Sequence, residues 1–451
     1  MTTKFTDSLQ FRADVLAKVK SIIIGNLNLD LEPSQIDDDS PLFGTGLGLD
    51  SIDALDLVIG IEEGFSIKVG EDELYVFKSV NSLVDFVLDR QSGESSSDSK
   101  HQLGTEMIAY DSGEILGEES RAVYTSLRTT TLLFEDHRVL LRFPEGEETL
   151  SALRGVLTGK ILDLEPNRIL HTALVDDAGL VVDLVYVFQF ETHYWVSTSP
   201  GNTRALEILH DLAVECDDES RNHRAIVLEG PYSWAVAKEV FGFEVLGLSY
   251  QRFIEISFEG VPLVLARMSA TGEYGFRVFA PAQEFDKIMA ALRANGVQEF
   301  HEVVASDLLE EVARVSATEM RMPILGVTVR AGTTLVENEL RWMIDYTNEE
   351  MVSRLPDSDS KIVAIRVEGL APGETLESGA RITSAEGETV GTVLYTVHSS
   401  SVELPIGYAA FVPSHAFAGI TTLEVAERPE VRVCTVSTPF FLPTSSRVQM
   451  Q

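Results

Sequence analysis

Residues 91–103 read QSGESSSDSKHQL, with no aliphatic residue before Leu103. Such a stretch has no apolar surface to bury, so it cannot join a hydrophobic core and reads as a flexible linker. Thirteen residues of this kind have a root-mean-square span of roughly 20 Å. The chain must therefore fold as at least two bodies, one of about ninety residues ahead of the linker and a larger one behind it.

The apolar periodicity differs on the two sides. Ahead of the linker, Leu9–Ile24, Ser51–Glu63 and Val80–Leu88 follow helical spacing, with Asn81 as the expected N-cap of the third. They predict a small helical bundle with long first and second connections. Behind it come strand-like runs: TTTLLFE, VLLRF, LVVDLVYVFQF, YWVSTS, RFIEISF, VPLVLARM and YGFRVFA. TRALEILHDLAVE, SWAVAKEVF and FDKIMAALRANG interleave as helices, giving an α+β layout. From about Ser360 only short strands between turns remain, which predicts a terminal β-barrel or sandwich.

Composition narrows the partners. The net charge is −36, and both parts carry it, with 17 acidic against 7 basic side chains in residues 1–90. Nucleic acid and anionic membrane are poor partners for such a chain, whereas basic proteins suit it. No apolar run reaches membrane-spanning length, and the N-terminus MTTKFTDSLQFRADV is not a signal peptide. Cys216 and Cys434 are the only cysteines and have no zinc-type spacing. The expectation is a cytoplasmic protein without disulfides or metal.

Within FGTGLGLDSIDALDLVIGIEEGF (Phe43–Phe65), a glycine-broken loop delivers Ser51 to a helix start. A serine there is ordinarily an N-cap. Here Ile52, Leu55 and Ile59 are expected to pack inward and to leave Asp53, Asp56, Glu62 and Glu63 in solvent. An exposed serine beside carboxylates suits a modified anchor shown to basic partners. Residues 1–90 resemble an acyl carrier protein: Asp50, Ser51, Ile52 and Asp53 match its D-S-[LI]-D core, and DDDSPLF and Glu62-Glu63 match its flanks. The resemblance implies a four-helix bundle. It makes Ser51 the attachment point of 4′-phosphopantetheine and Asp50, Asp53, Asp56, Glu62 and Glu63 the docking face. A phosphopantetheinyl transferase, an acyl-loading enzyme or synthase and a carrier-bound acyl or aminoacyl substrate follow as partners.

The body has no nucleophile elbow, GxGxxG or P-loop. Asp183 interrupts an otherwise apolar strand, so it is either a satisfied structural carboxylate or a functional one. Five stretches in order resemble the folate-dependent aminomethyltransferases, the family of the glycine cleavage T-protein. They are LVVDLVYVF (Leu180–Phe188), LEGPYS (Leu228–Ser233), SATGEYGFRVF from Ser269, VARVSATEMRMPILG (Val312–Gly326) followed by LRWMID, and the VGTVLYTV to TPFF end. The resemblance implies an α+β folate-binding region over 104–355 and a β-barrel over 356–451. It makes Asp183 the catalytic carboxylate beside the reactive nitrogens of tetrahydrofolate. Tyr186, Glu273, Phe276, Arg277 and Arg314 become folate- or substrate-binding positions, and Trp342 keeps the family tryptophan as a core aromatic.

The departures bear on the cofactor. Arg277 stands where the family has a glutamate that accepts hydrogen bonds from the pterin edge, and a guanidinium accepts none. Ala270 replaces a tyrosine and Val182 the first aspartate of the D-D pair. Nothing near LLFEDHRVLL matches the family's N-terminal stretch. Three readings stay open. The leading one is an enzyme of specialised metabolism. It passes a methylene, hydroxymethyl or methyl group between tetrahydrofolate and the chain on Ser51, helped by roughly millimolar effective concentration through the linker. The others are a folate-independent transformation of that chain and a non-catalytic substrate-holding module.

Overall fold

Gly60 and Gly64 let the first two helices meet closely. A Cβ at Gly60 would lie 2.2 Å from Asn26 Nδ2, and one at Gly64 2.5 Å from Ile22 Cδ1. Helix α1 (Thr2–Leu27) contributes Val15, Val19 and Ile23 to a core shared with α2 (Ser51–Phe65) and α3 (Val80–Ser92). A 3₁₀ segment, Glu71–Lys78, precedes α3 and completes the small all-α bundle. The computed structural model describes residues 2–39, 41–42, 47, 51–92, 116–296, 299–304, 306–371 and 373–440. Gln91 and Ser92 close α3, and the rest of the expected linker lies outside the described residues.

Two expectations for the bundle are corrected. The inward stripe of α2 is Leu57, Ile61 and Phe65, all buried, while Leu55 and Ile59 are 62% and 52% exposed. Both pairs have i, i+4 spacing, so only the packing of α1 and α3 decides between them. The cap of α3 is Ser79, not Asn81: the Ser79 and Ser82 hydroxyls accept from each other's backbone N–H groups at 3.3 and 2.8 Å. Asn81 instead donates to Asp39 Oδ1 at 3.0 Å and accepts from Arg12 at 3.1 Å.

The chain divides into two units that interleave along it. The first comprises Met1–Ile115, Glu339–Trp342 and Asp359–Leu442; the second comprises Leu116–Asn338, Met343–Ser358 and Pro443–Gln451. The first unit therefore holds the helical bundle and a closed barrel. The barrel's strands are, in order around it, Lys361–Glu368, Leu404–Phe411, Thr389–Ser399, Arg381–Thr383, Leu423–Val425 and Arg428–Thr435. Ile365, Val393, Ala409, Phe411, Ile420 and Val433 fill it.

Inside this unit the Asp37–Asp39 loop of the bundle is buried among basic groups from the other segments. Asp37 accepts from the Arg341 backbone N–H and from Arg341 Nη1, each at 2.7 Å. Asp38 pairs with Lys20 at 2.5 Å and Lys361 at 2.8 Å, and Lys361 also pairs with Glu339. Asp39 accepts from the Thr438 backbone N–H at 3.2 Å. Burial and the neighbouring Glu339 push the Asp37 carboxyl up to about 6 against the pull of Arg341 and Lys361. Burial also opposes the Asp38 charge, but Lys361 and Lys20 outweigh it and hold that carboxyl well below the usual range.

The second unit is α+β. Helix α4 (Glu118–Thr129) leads into β1 (Leu132–Asp136) and β2 (Val139–Pro144). Helix α5 (Glu147–Arg154), β3 (Ile169–Val175), β4 (Val181–Gln189), β5 (His193–Thr198), α6 (Thr203–His210), β6 (Asp217–Asp218) and β7 (His223–Glu229) follow. After α7 (Ser233–Phe241) come β8 (Arg252–Phe258), β9 (Val261–Arg267), β10 (Gly275–Pro281), α8 (Phe285–Arg293), β11 (His301–Glu302) and α9 (Ser306–Met320). One sheet has the order β11-β1-β7-β10-β9-β8 and the other β3-β4-β5-β2-β6. Helices α7 and α8 cover the first, and α5 and α6 the second. The inner faces meet through an aromatic layer of Tyr186, Phe188, Phe190, Trp195, Phe253 and Phe279.

Candidate functional site

The inner-face alternation of β3, β4, β7 and β10 brings His171, Tyr186, Glu229 and Arg277 to the inter-sheet layer, where most neighbours are apolar. Tyr186 is opposite His171 in the register, and the two rings stack with centroids 4.2 Å apart. Two guanidinium groups flank the Tyr186 ring: Arg138 at 5.1 Å and Arg277 at 5.6 Å from its centre.

Arg277 is buried and its Nε lies 2.7 Å from Asp136 Oδ2. The N–H does not point along that line, so this is a charge pair without an aligned hydrogen bond, and Nη1 finds no acceptor among the described residues. Burial works against the guanidinium charge, but Asp136, Tyr186 and Glu229 outweigh it and keep the arginine protonated. The same burial, with the Arg138 and Arg277 charges, pushes His171 down to about 3, so its imidazole is neutral at pH 7.

Glu229 closes β7 beside Gly275 of β10. The following Gly230 has φ +136° and a Cβ there would meet Thr130 O at 2.5 Å, so the LEGP turn admits only glycine. The Glu229 carboxylate accepts from Ala270 N at 2.8 Å and Thr271 Oγ1 at 2.6 Å. Burial pushes its pKa up, while Arg277 and these two donors restrain the shift.

Asp183 lies next to the extra residue Val182, where β4 slips register against β3. It is fully buried. Its Oδ1 accepts from Leu184 N at 2.7 Å and Ser199 Oγ at 2.6 Å, and its Oδ2 from Ser199 N at 2.8 Å. Ser199 Oγ in turn lies 3.5 Å from Arg138 Nη1, and Arg138 Nη2 donates to Leu184 O at 2.7 Å. Asp183 is thus linked through Ser199 to the arginine that flanks Tyr186.

The other sequence-derived positions lie elsewhere in this unit. Glu273 pairs with Arg128 at 2.6 Å, which also reaches Glu319 at 2.6 Å, and Tyr124 donates to the same Glu319 at 2.8 Å. Phe276 is core against α7 and α8. Arg314 is exposed on α9, whose fully buried ionic residue is Glu319. In the first unit, Trp342 is half-buried, Asp56 and Glu63 are exposed on α2, and Asp53 is partly so. Glu62 is tied to Lys68 and the Val69 N–H at 2.8 and 2.9 Å. Ser51 opens α2, but its side chain and Asp50 lie outside the described residues.

Sequence reasoning missed Arg138, His171, Asp136 and Glu229. The signal used for Asp183, a polar residue inside an apolar strand, also marks His171 in RILHTALV and Glu229 in AIVLEGP. Arg138 and Asp136 carry no such mark. Among the described residues no group of His, Cys, Asp or Glu could hold a metal ion, both cysteines are free, and no helix is long and apolar enough to cross a membrane.

Two stretches match known families. Residues 17–87 match the phosphopantetheine attachment site, and residues 117–348 match the GCVT N-terminal domain. An aminomethyltransferase of Leptospira biflexa is 23% identical over 315 residues, spanning 67% of this chain and 83% of the relative. An aminomethyltransferase of Streptomyces coelicolor is 26% identical over 330 residues, spanning 70% and 87%. The glycine cleavage system aminomethyltransferase T from Bartonella henselae shares the fold, with a TM-score of 0.60 at 16% identity, over 72% of this chain and 90% of that one.

Proposed function

Because the chain belongs to the GCVT N-terminal domain family and also carries a phosphopantetheine-attachment domain, we propose that it is a carrier-linked transferase. Ser51 carries the phosphopantetheine arm, loaded by a phosphopantetheinyl transferase. The second unit moves a one-carbon group between tetrahydrofolate and an acyl or aminoacyl chain on that arm. The single observation that supports this is the presence of both domains in one chain. Asp53, Asp56 and Glu63 on α2 serve as the face that basic partners approach.

In this reading Arg277 is the residue that meets the reacting chain, with Arg138 and Tyr186 beside it. A buried guanidinium with an unfilled donor can hold a carboxylate or steady a developing oxyanion in a dry setting. Asp183 acts as a positioning residue. Its carboxylate fixes Ser199 at the end of β5, and Ser199 and the β4 backbone hold Arg138.

The cluster does not fit pterin recognition. The carboxylates beside Arg277 are taken by protein donors or charges, Glu229 by Ala270 and Thr271 and Asp136 by Arg277 itself, and Glu273, in a separate cluster, is taken by Arg128. Arg277 itself only donates. The folate part of the proposal is therefore supported by family membership alone. The misfit favours a second reading, a folate-independent transformation of the tethered chain.

Intact-mass measurement of the loaded holo protein separates the two. A mass change of one carbon unit that requires methylene- or methyl-tetrahydrofolate supports the first reading. Turnover without folate, and no folate binding by calorimetry, supports the second. No mass change with any donor and no turnover would remove both.

A further inference from the structure

Carrier domains are expected to move between partners on their linkers, and residues 91–103 have the composition for that. The first unit presents a different arrangement. Five groups of the helical bundle are bonded to the segments 339–342 and 359–440. Asp37 meets Arg341 through two bonds of 2.7 Å, Asp38 meets Lys361 at 2.8 Å, and Asp39 receives the Thr438 N–H at 3.2 Å. Lys78 Nζ donates to Pro439 O at 3.0 Å, and Ser437 Oγ donates to Asp85.

Three features distinguish this from an incidental surface contact. Asp37, Asp38, Asp39 and Glu339 are all buried, so their charges are screened little by salt. Three of these acids meet cations and the fourth meets neutral donors: Asp37, Asp38 and Glu339 face Lys20, Lys361 and Arg341, and Asp39 accepts from Asn81 and the Thr438 N–H. Arg341 engages Asp37 by side chain and backbone together, which fixes orientation as well as proximity. The outer face of α2 takes no part in these bonds, and its Leu55, Asp56, Ile59 and Glu63 remain exposed.

We propose that the carrier is a stationary module. The Asp37–Asp39 loop is its foot, clamped by Arg341, Lys361 and Thr438, and the α2 face stays accessible while the foot is engaged. Substrate then travels on the prosthetic arm, and the enzyme that modifies or loads Ser51 comes to the docked carrier. The linker keeps the chain connected and does not set the carrier's position. This assignment is independent of the chemistry proposed for the second unit.

Amide ¹⁵N relaxation of the full-length protein tests it. The expected result is one rotational correlation time for α1–α3 and for the barrel strands. In Arg341→Ala/Lys361→Ala the carrier's value falls about twofold or more, as for a small domain released from a larger body. Asp38→Asn, a milder change on the carrier side, gives a partial shift and serves if the double variant does not fold. Independent carrier tumbling in the unaltered protein would overturn the proposal, as would unchanged tumbling in all variants. Ser51 pantetheinylation should proceed at the same rate before and after release. Modification more than about tenfold faster in the released carrier would show that docking hides α2 and would overturn the open-face part.

Discussion

Arg128 and Arg277 are two buried arginines of the same unit with opposite surroundings. Arg128 places one nitrogen against Glu273 and another against Glu319, each at 2.6 Å. Arg277 has a misaligned charge pair with Asp136, the face of Tyr186 and a nitrogen with no acceptor. Burial and charge are alike in the two cases. The carboxylate partners are not: Arg128 donates in line to two carboxylates, whereas the one carboxylate beside Arg277 is out of line with its Nε, and this separates a cluster that holds the fold from one with capacity left for another molecule.

The contrast breaks first at Arg128. Arg128→Met leaves Glu273 and Glu319 buried without a cation and is expected to destabilise the unit by about 3–5 kcal/mol. Urea denaturation checks this, and a midpoint near that of the unaltered protein would mean the cluster is not a structural lock. Arg277→Met should lose less stability, about 1–3 kcal/mol, while the mass change on the loaded carrier falls by more than the folded fraction does. Equal losses of activity and folded protein would place Arg277 with Arg128. Asp183→Asn keeps the shape but weakens the bonds from Ser199, with an expected cost of about 1–2 kcal/mol. If Asp183 positions Arg138 through Ser199, Ser199→Ala should lower turnover in the same direction.

The smallest effect is a pH dependence. His171 is held down to about 3 in the folded protein, against an ordinary value of 6.5. Between these values the unfolded chain takes up a proton that the folded one does not, so this group's contribution to stability falls as pH drops from about 6.5 toward 3. His171→Asn cannot take up that proton. The difference in urea midpoint between variant and unaltered protein should therefore shift in the variant's favour on going from pH 7 to pH 5. A pH-independent difference would mean that His171 is not held neutral.

Periodicity carried the fold class far. The alternation within VLLRF or RFIEISF depends only on neighbouring residues, and so does the switch to short strands after Ser360. Facing did not follow as well. Leu55/Ile59 and Leu57/Ile61 are equivalent as sequence, and only the packing of α1 (Val15, Val19, Ile23) and α3 (Leu83, Val84, Val87) decides which pair is covered. Asn81 was a reasonable cap by residue type, but Ser79 and Ser82 have the spacing that closes the box. The central cluster was the least legible part. Asp136, Arg138, His171, Glu229 and Arg277 come from separate strands and loops, and their partnership exists only once two sheets pack face to face. Asp183 was found because a carboxylate in an apolar strand is conspicuous, but that signal does not distinguish a carboxylate satisfied by Ser199 from one left available.

The Asp37–Asp39 foot also bears on how such a chain can be recombined. A foreign carrier spliced ahead of residue 104 would bring its own attachment serine and its own recognition helix. Without three acidic residues in register with Arg341, Lys361 and the Thr438 N–H, it would remove the Asp37 partner of Arg341 and the Asp39 acceptor of the Thr438 N–H, and leave Lys361 with Glu339 alone. Exchange at the linker would preserve connectivity and lose placement. The graft that keeps both is a replacement of α2 alone within the native bundle, with the Asp37–Asp39 loop ahead of it left in place, because the part that chooses partners and the part that holds position are separate pieces of the same ninety residues.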